Sequence, residues 1–153
     1  MPKTELFVGA VVRRDHEVLL VRQSVGHSLA GQWTVPWGRV DAGESPMAAV
    51  VREVREEAGV ESVVEGLLGV QELHEPNLGG VALVYLCKHV SGDPIPQGTE
   101  TDAARYYSLS DFRALRERRE PWSDWLVRRV FGGKVTLTHS DSTNPLETQG
   151  AFL

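Results

Sequence analysis

Glu53, Glu56 and Glu57 recur three and four residues apart in a stretch patterned as a helix, with Arg52 beside them and Glu44 just upstream. Residues so spaced share one helix face, so the three carboxylates crowd together. Repulsion between two such charges is about 1 kcal/mol at 4 Å in water, and roughly fourfold more at an effective dielectric near 20. A cation among them offsets this, and all-oxygen donors suit hard divalent ions such as Mg²⁺, Mn²⁺ or Ca²⁺. The plainer reading of the glutamates alone is a solvated acidic face neutralised by Arg52 and Arg55.

The helix that must carry them is well marked. Ser45 supplies an N-cap hydroxyl, Pro46 suits the first helical position, and Gly59 supplies the stop. Met47, Val50, Val51, Val54 and Ala58 recur at helical spacing as the expected core stripe. That stripe lies about 100° around the wheel from the glutamates, leaving them free to face a cleft. Arg52 and Glu56, four apart, are placed to pair.

Upstream, Glu5 to Arg13 and Glu17 to Gln23 are rich in β-branched residues and read as a hairpin turning at Arg14-Asp15-His16. The loop SVGHSLAGQ then leads to a short strand, Trp33 to Pro36. Downstream, Ser62 to Leu73 and Val81 to Val90 read as strands, SGDPIPQGTETD as a loop, and Arg105 to Ser108 as a short strand. A helix from Leu109 to Arg118 is expected to be capped at Ser110 or Asp111. Another opens at Pro121 and ends at Gly132-Gly133, with Trp122 and Trp125 packing it on the domain.

The whole chain narrows the function class. Its 153 residues suit one domain with a real core, here residues 1–133. The tail, 134–153, is expected to pack on the domain or a partner, with Val135-Thr136-Leu137 pairing along a sheet edge. Exposed strand edges and that tail would suit a homodimer. A net charge of −5 and no basic face argue against nucleic-acid binding. No apolar run approaches a membrane span, and no signal-peptide pattern opens the chain. One cysteine, Cys87, sits in an apolar run as an expected buried, inert thiol. The setting expected from this is reducing and cytoplasmic.

The segment GRVDAGESPMAAVVREVREEAGV, Gly38 to Val60, resembles the Nudix box of the Nudix hydrolases at each fixed position: Gly38, Glu44, Arg52-Glu53, Val54, Glu56-Glu57, Gly59 and Val60. Apolar strands before the box, and two strands and a C-terminal helix after it, resemble the family as well. The resemblance implies an α/β fold, an α/β/α sandwich around a mixed sheet. It implies Mg²⁺-dependent (or Mn²⁺-dependent) hydrolysis of a nucleoside diphosphate linked to another group, a small-molecule nucleotide substrate. Glu53, Glu56 and Glu57 would be metal ligands, commonly joined by the Gly38 carbonyl. Arg52 would position a glutamate, Glu44 would pair or brace, and Gly43 and Gly59 would permit tight turns. Glu100 stands where the family often places one more carboxylate, with Asp102 as the fallback.

Bound metal would bridge the carboxylates to phosphate oxygens and activate a water. Glu53, Glu56 and Glu100 each qualify as the general base. Arg22 and Arg39 are candidate phosphate partners, and Trp33, Tyr106 and Tyr107 are candidates for base stacking with core packing as the alternative. Trp37 departs from the family, standing where a glycine is usual; it would strain a backbone of positive φ, or bring an aromatic wall to the substrate. Pro76, sixteen residues past Val60, resembles a proline found in the ADP-ribose hydrolases of this family, a resemblance that implies ADP-ribose or a nucleotide sugar slightly ahead of other substrates; the plain reading of His74 to Asn77 is a loop. Nucleoside triphosphate hydrolysis and a non-catalytic nucleotide sensor are the competing readings.

Overall fold

Strand β1 (Glu5–Arg14) is buried on both faces along most of its length, as its near-continuous apolar run requires of a central strand. The computed structural model describes residues 3–75, 78–133, 143, 145 and 150–152. A two-residue turn, with Asp15 at φ 52°, joins β1 to β2 (Glu17–Gln23) and sets Arg14 opposite Glu17. Only two registered pairs join these strands before they diverge. The edge of β1 freed by that divergence is taken by β4 (Trp37–Arg39), which pairs antiparallel with Phe7, Val8 and Gly9. On its other edge β1 runs parallel to β6 (Leu78–Ser91), from Glu5 beside Gly80 to Arg13 beside Lys88. β6 forms a long antiparallel hairpin with β5 (Glu61–Glu75). β3 (Trp33–Thr34) and β7 (Thr101–Ser108) both pair with β2, and β8 (Gly150–Phe152) pairs with β5.

Alternation along β1 divides the core in two. Val8, Ala10 and Val12 pack with Val50, Val54 and Ala58 of helix α1 (Pro46–Ala58). Val11 packs on the opposite face with Phe112 of α2 (Leu109–Ala114) and with Trp125, Leu126 and Val127 of α3 (Pro121–Phe131). The result is the expected sandwich, a mixed sheet between α1 and the α2–α3 layer. Trp122 and Trp125 pack α3 on the sheet as expected. Cys87 is fully buried, and burial pushes its thiol up to about 12.

Several local expectations change. The strand expected from Trp33 to Pro36 ends at Thr34, and a second strand, β4, follows only at Trp37, because the chain leaves β2 after Thr34 and crosses to β1, where Pro36 O accepts from Ala10 N–H at 3.0 Å. β7 begins at Thr101, well before Arg105. α2 is capped by Ser108, whose hydroxyl accepts from Asp111 N–H, and it ends at Ala114 rather than Arg118. The following segment runs alongside Trp33, whose N–H donates to Arg118 O at 2.9 Å. Met47 is 54% exposed, and the buried side of α1 is instead Ala49, Val50, Glu53, Val54, Glu57 and Ala58. Two of the glutamates therefore lie on the buried side of the helix rather than clear of it. The expectations for Val135-Thr136-Leu137 and for Pro76 fall outside the described residues. Among those described, no helix is long and apolar enough to cross a membrane.

Candidate active site

Helix α1 is fixed at both ends. The Ser45 hydroxyl accepts from Ala48 N–H at 3.2 Å, and Gly59 adopts φ 67°. A side chain at Gly59 would be strained by that angle and would also overlap Ile95 O. Helix C-termini leave carbonyls without intrahelical partners. Here the loop after β6 supplies them: Ile95 N–H donates to Ala58 O at 2.8 Å, and Gln97 and Gly98 N–H donate to Glu56 O at 3.0 and 3.1 Å. The Thr101 hydroxyl donates to Glu57 O at 2.6 Å. This capping carries Glu100 to the helix, and Glu100 O in turn accepts from Ser24 N–H at 2.9 Å.

The consequence is an all-oxygen cluster. Glu53, Glu57 and Glu100 each present a carboxylate oxygen within 4.8 Å of the others. Glu56 is exposed and lies outside that trio, although it lines the same cleft. Gly38 is pressed against Glu53, so that a Cβ there would overlap the carboxylate. Glu57 is 3% exposed and accepts from Trp37 N–H at 3.3 Å.

Arg52 organises the rest. Its guanidinium grips both oxygens of Glu44, at 2.8 and 2.9 Å, and donates to Glu53 at 2.9 Å, Glu56 at 3.2 Å and Arg39 O at 3.0 Å. That grip holds the Glu44 carboxyl down at about 2, and Glu44 reciprocally raises the Arg52 pKa. Glu53 is pushed up to about 7, chiefly by burial and against the pull of Arg52. Burial, and next the charge of Glu53, push Glu57 well upward. Three acidic groups with too little positive charge among them fit a hard divalent cation such as Mg²⁺ or Mn²⁺.

The cleft has a volume of about 540 Å³. Trp37 and Arg39, expected at the substrate, line it together with the four glutamates. Trp37 carries no backbone strain, because Asp15 is the sole non-glycine of positive φ among the described residues. Gly43 does adopt positive φ, 79°, as its turn role requires. Arg22 and Trp33 are not brought to the cleft. Arg22 is held by Asp102 at 2.7 Å and Glu117 at 3.1 Å, which also engages Asp102, the fallback carboxylate. Trp33 is 5% exposed, with its indole N–H on Glu117 at 3.0 Å. Tyr106 and Tyr107 are buried in the core, the alternative weighed for them. Gln23, His27 and Phe7 line the cleft and were missed. Gln23 is one strand residue from Arg22, and only the register of β2 decides which of them faces the site.

Residues 3–129 match the family model described as the NUDIX domain. Over 109 residues the chain is 37% identical to the NAD-capped RNA hydrolase NudC of Pseudomonas aeruginosa, covering 71% of this chain and 38% of that one. Over 110 residues it is 27% identical to the ADP-ribose pyrophosphatase of Methanocaldococcus jannaschii, covering 71% of this chain and 64% of that one. It thus spans less than two thirds of either relative. A solved NUDIX hydrolase from Nitrosomonas europaea shares the fold with a TM-score of 0.71 at 29% identity, covering 86% of this chain and 91% of that one. With its sheet, its acidic helix and 127 consecutive residues (3–129) matched, the chain belongs to the Nudix family.

Proposed function

We propose that this cleft hydrolyses the pyrophosphate bond of a nucleoside diphosphate linked to another group, with ADP-ribose or a nucleotide sugar favoured. The observation that carries the reading is the convergence of Glu53, Glu57 and Glu100 within 4.8 Å in a cleft that Glu56 also lines. Those carboxylates would hold a divalent cation, which when bound offsets phosphate charge, polarises the phosphorus and lowers the pKa of a ligated water. Arg52 keeps Glu53 and Glu56 in register from one rigid fork. Glu56, which lines the cleft outside the trio, would accept the proton of the attacking water, a role worth about 10²–10⁴ in rate. The water oxygen bonds to phosphorus, the bridging P–O bond breaks, and the leaving phosphate departs as an anion. The names of the two relatives, an ADP-ribose pyrophosphatase and an NAD-capped RNA hydrolase, support a linkage between a nucleotide and a second group.

A nucleotide panel assayed with Mg²⁺ and with Mn²⁺ tests the reading. ADP-ribose should give AMP and ribose 5-phosphate, and ¹⁸O-labelled water should mark the phosphorus attacked. Release of pyrophosphate from nucleoside triphosphates alone would replace the substrate class. Tight nucleotide binding without turnover under either metal would replace the enzyme with a sensor.

A further inference from the structure

β7 changes register where it enters the sheet. Arg22 of β2 faces Ala103 and Gln23 faces Thr101, so Asp102 is an extra residue, a β-bulge. From Ala103 onward the side chains alternate. Ala103 and Tyr107 pack with the α2–α3 core, Ala104 and Tyr106 with the α1 core. Unbroken alternation would send Asp102 to the α1 side and Thr101 away from it. The bulge reverses this. Thr101 is 3% exposed, and its hydroxyl reaches Glu57 O of α1. Asp102 turns to the other side, where Arg22 shares a face of β2 with Val18 and Leu20 and donates to it at 2.7 Å.

Glu100 stands just before this kink. Its carbonyl accepts from Ser24 N–H at 2.9 Å, and its carboxylate meets Glu53 and Glu57 within 4.8 Å. Without the extra residue, the chain before Ala103 would shift along β2 by about 3.3 Å and exchange faces. A shift of that size is comparable with the cluster itself and would take Glu100 out of it.

The bulge is held from outside the cleft. The Arg22 guanidinium also donates to Glu117 at 3.1 Å, and the same Glu117 oxygen accepts from the Trp33 indole N–H at 3.0 Å. The Trp33 backbone fixes that segment in turn: its N–H donates to Arg118 O and its carbonyl accepts from Glu120 N–H, both at 2.9 Å. The side chains of Arg22, Asp102 and Glu117 are 33%, 42% and 50% exposed. Ion pairs so open to solvent add little to stability, so the effect of this one falls on where the backbone lies.

We propose that Arg22 is a positioning residue for Glu100, acting through the bulge at Asp102. Asp102, expected as a fallback ligand, is instead the bracket that aims the carboxylate two residues before it. This deepens the hydrolase reading above and rests on its placing of Glu100 at the metal.

Mn²⁺ affinity, read by electron paramagnetic resonance on the full chain without nucleotide, tests this as a double-mutant cycle. R22A should weaken Mn²⁺ about tenfold, the scale of losing a residue that orients a ligand, while melting within a few degrees of the unaltered protein. R22K, which keeps the charge but not the fork, should recover part of the loss. In an E100Q background, itself weakened, R22A should cost nothing further. Deletion of Asp102 should bring the affinity down to that of E100Q. Unchanged affinity in R22A or in E100Q, or the same loss from R22A with and without the Glu100 carboxylate, would overturn the proposal. Should R22A fail to melt cooperatively, D102A and E117Q decide by the same cycle. A coupled loss in a protein that turns over no pyrophosphate would leave the positioning role standing and remove the hydrolase reading. Pyrophosphate turnover with uncoupled losses would do the reverse.

Discussion

Gly38 sits so close to Glu53 that a single added methyl would overlap the carboxylate. The atom in the way is the end of a flexible side chain, so the fold can yield where the site cannot. G38A should melt within a few degrees of the unaltered protein, yet lose about tenfold or more in turnover as Glu53 is displaced. A variant with full activity would show that Glu53 does not need its observed position.

Glu44 and Arg52 predict an acid limb. The folded Glu44 pKa, about 2, is depressed below the ordinary carboxylate value. Its contribution to stability is therefore complete above the unfolded value near 4.5 and is lost as pH falls towards 2. Urea unfolding across that window should show this slope, and R52Q should flatten it. R52K keeps the charge but loses the fork, and should recover only part of the stability.

Glu53 runs the other way. Its folded pKa of about 7 is raised, so its share of stability is present below about 4.5 and is lost as pH climbs towards 7. Glu57 is shifted in the same direction. The metal-free protein should thus lose stability over that range, whereas Mg²⁺ should raise the melting temperature more at pH 8 than at pH 5.5. Scanning fluorimetry with EDTA or Mg²⁺ reads both; an equal metal effect at the two pH values would refute the linkage.

Thr101 offers a cleaner probe of Glu100. T101V removes the hydroxyl that donates to Glu57 O and should cost about 1–2 kcal/mol. Because Glu100 precedes it directly, Mn²⁺ affinity measured by electron paramagnetic resonance should also weaken, by several-fold. Unchanged affinity would detach Glu100 from the metal.

The helix and its register were legible because local chemistry dictated them: Ser45, Pro46 and Gly59 bound α1 as expected. What sequence could not show was which side of α1 the sheet would bury. Met47 is as apolar as Val50, yet it ends up exposed while Glu53 and Glu57 go in, because Gly38 and the loop through Glu100 cover that side. Arg22 and Trp33 lie away from the cleft for a similar reason. Their fates depend on Glu117, a residue distant in sequence that satisfies both. Trp37 was legible as a departure but not as a harmless one, since its extended backbone follows from pairing with Gly9 of β1.

The parallel seam between β1 and β6 has a kinetic consequence. It sets Glu5 beside Gly80, a pairing that can form only after the intervening chain, including all of α1, has closed into a loop. Non-local parallel pairing of this kind is slow to form. Glu100 lies beyond β6 in the chain, so the trio with Glu53 and Glu57 is completed only when the loop after β6 has reached the end of α1. In refolding from denaturant, helical signal should therefore recover before Mn²⁺ binding does. The interval between them would measure how long the chain carries its acidic helix without a site to put it in.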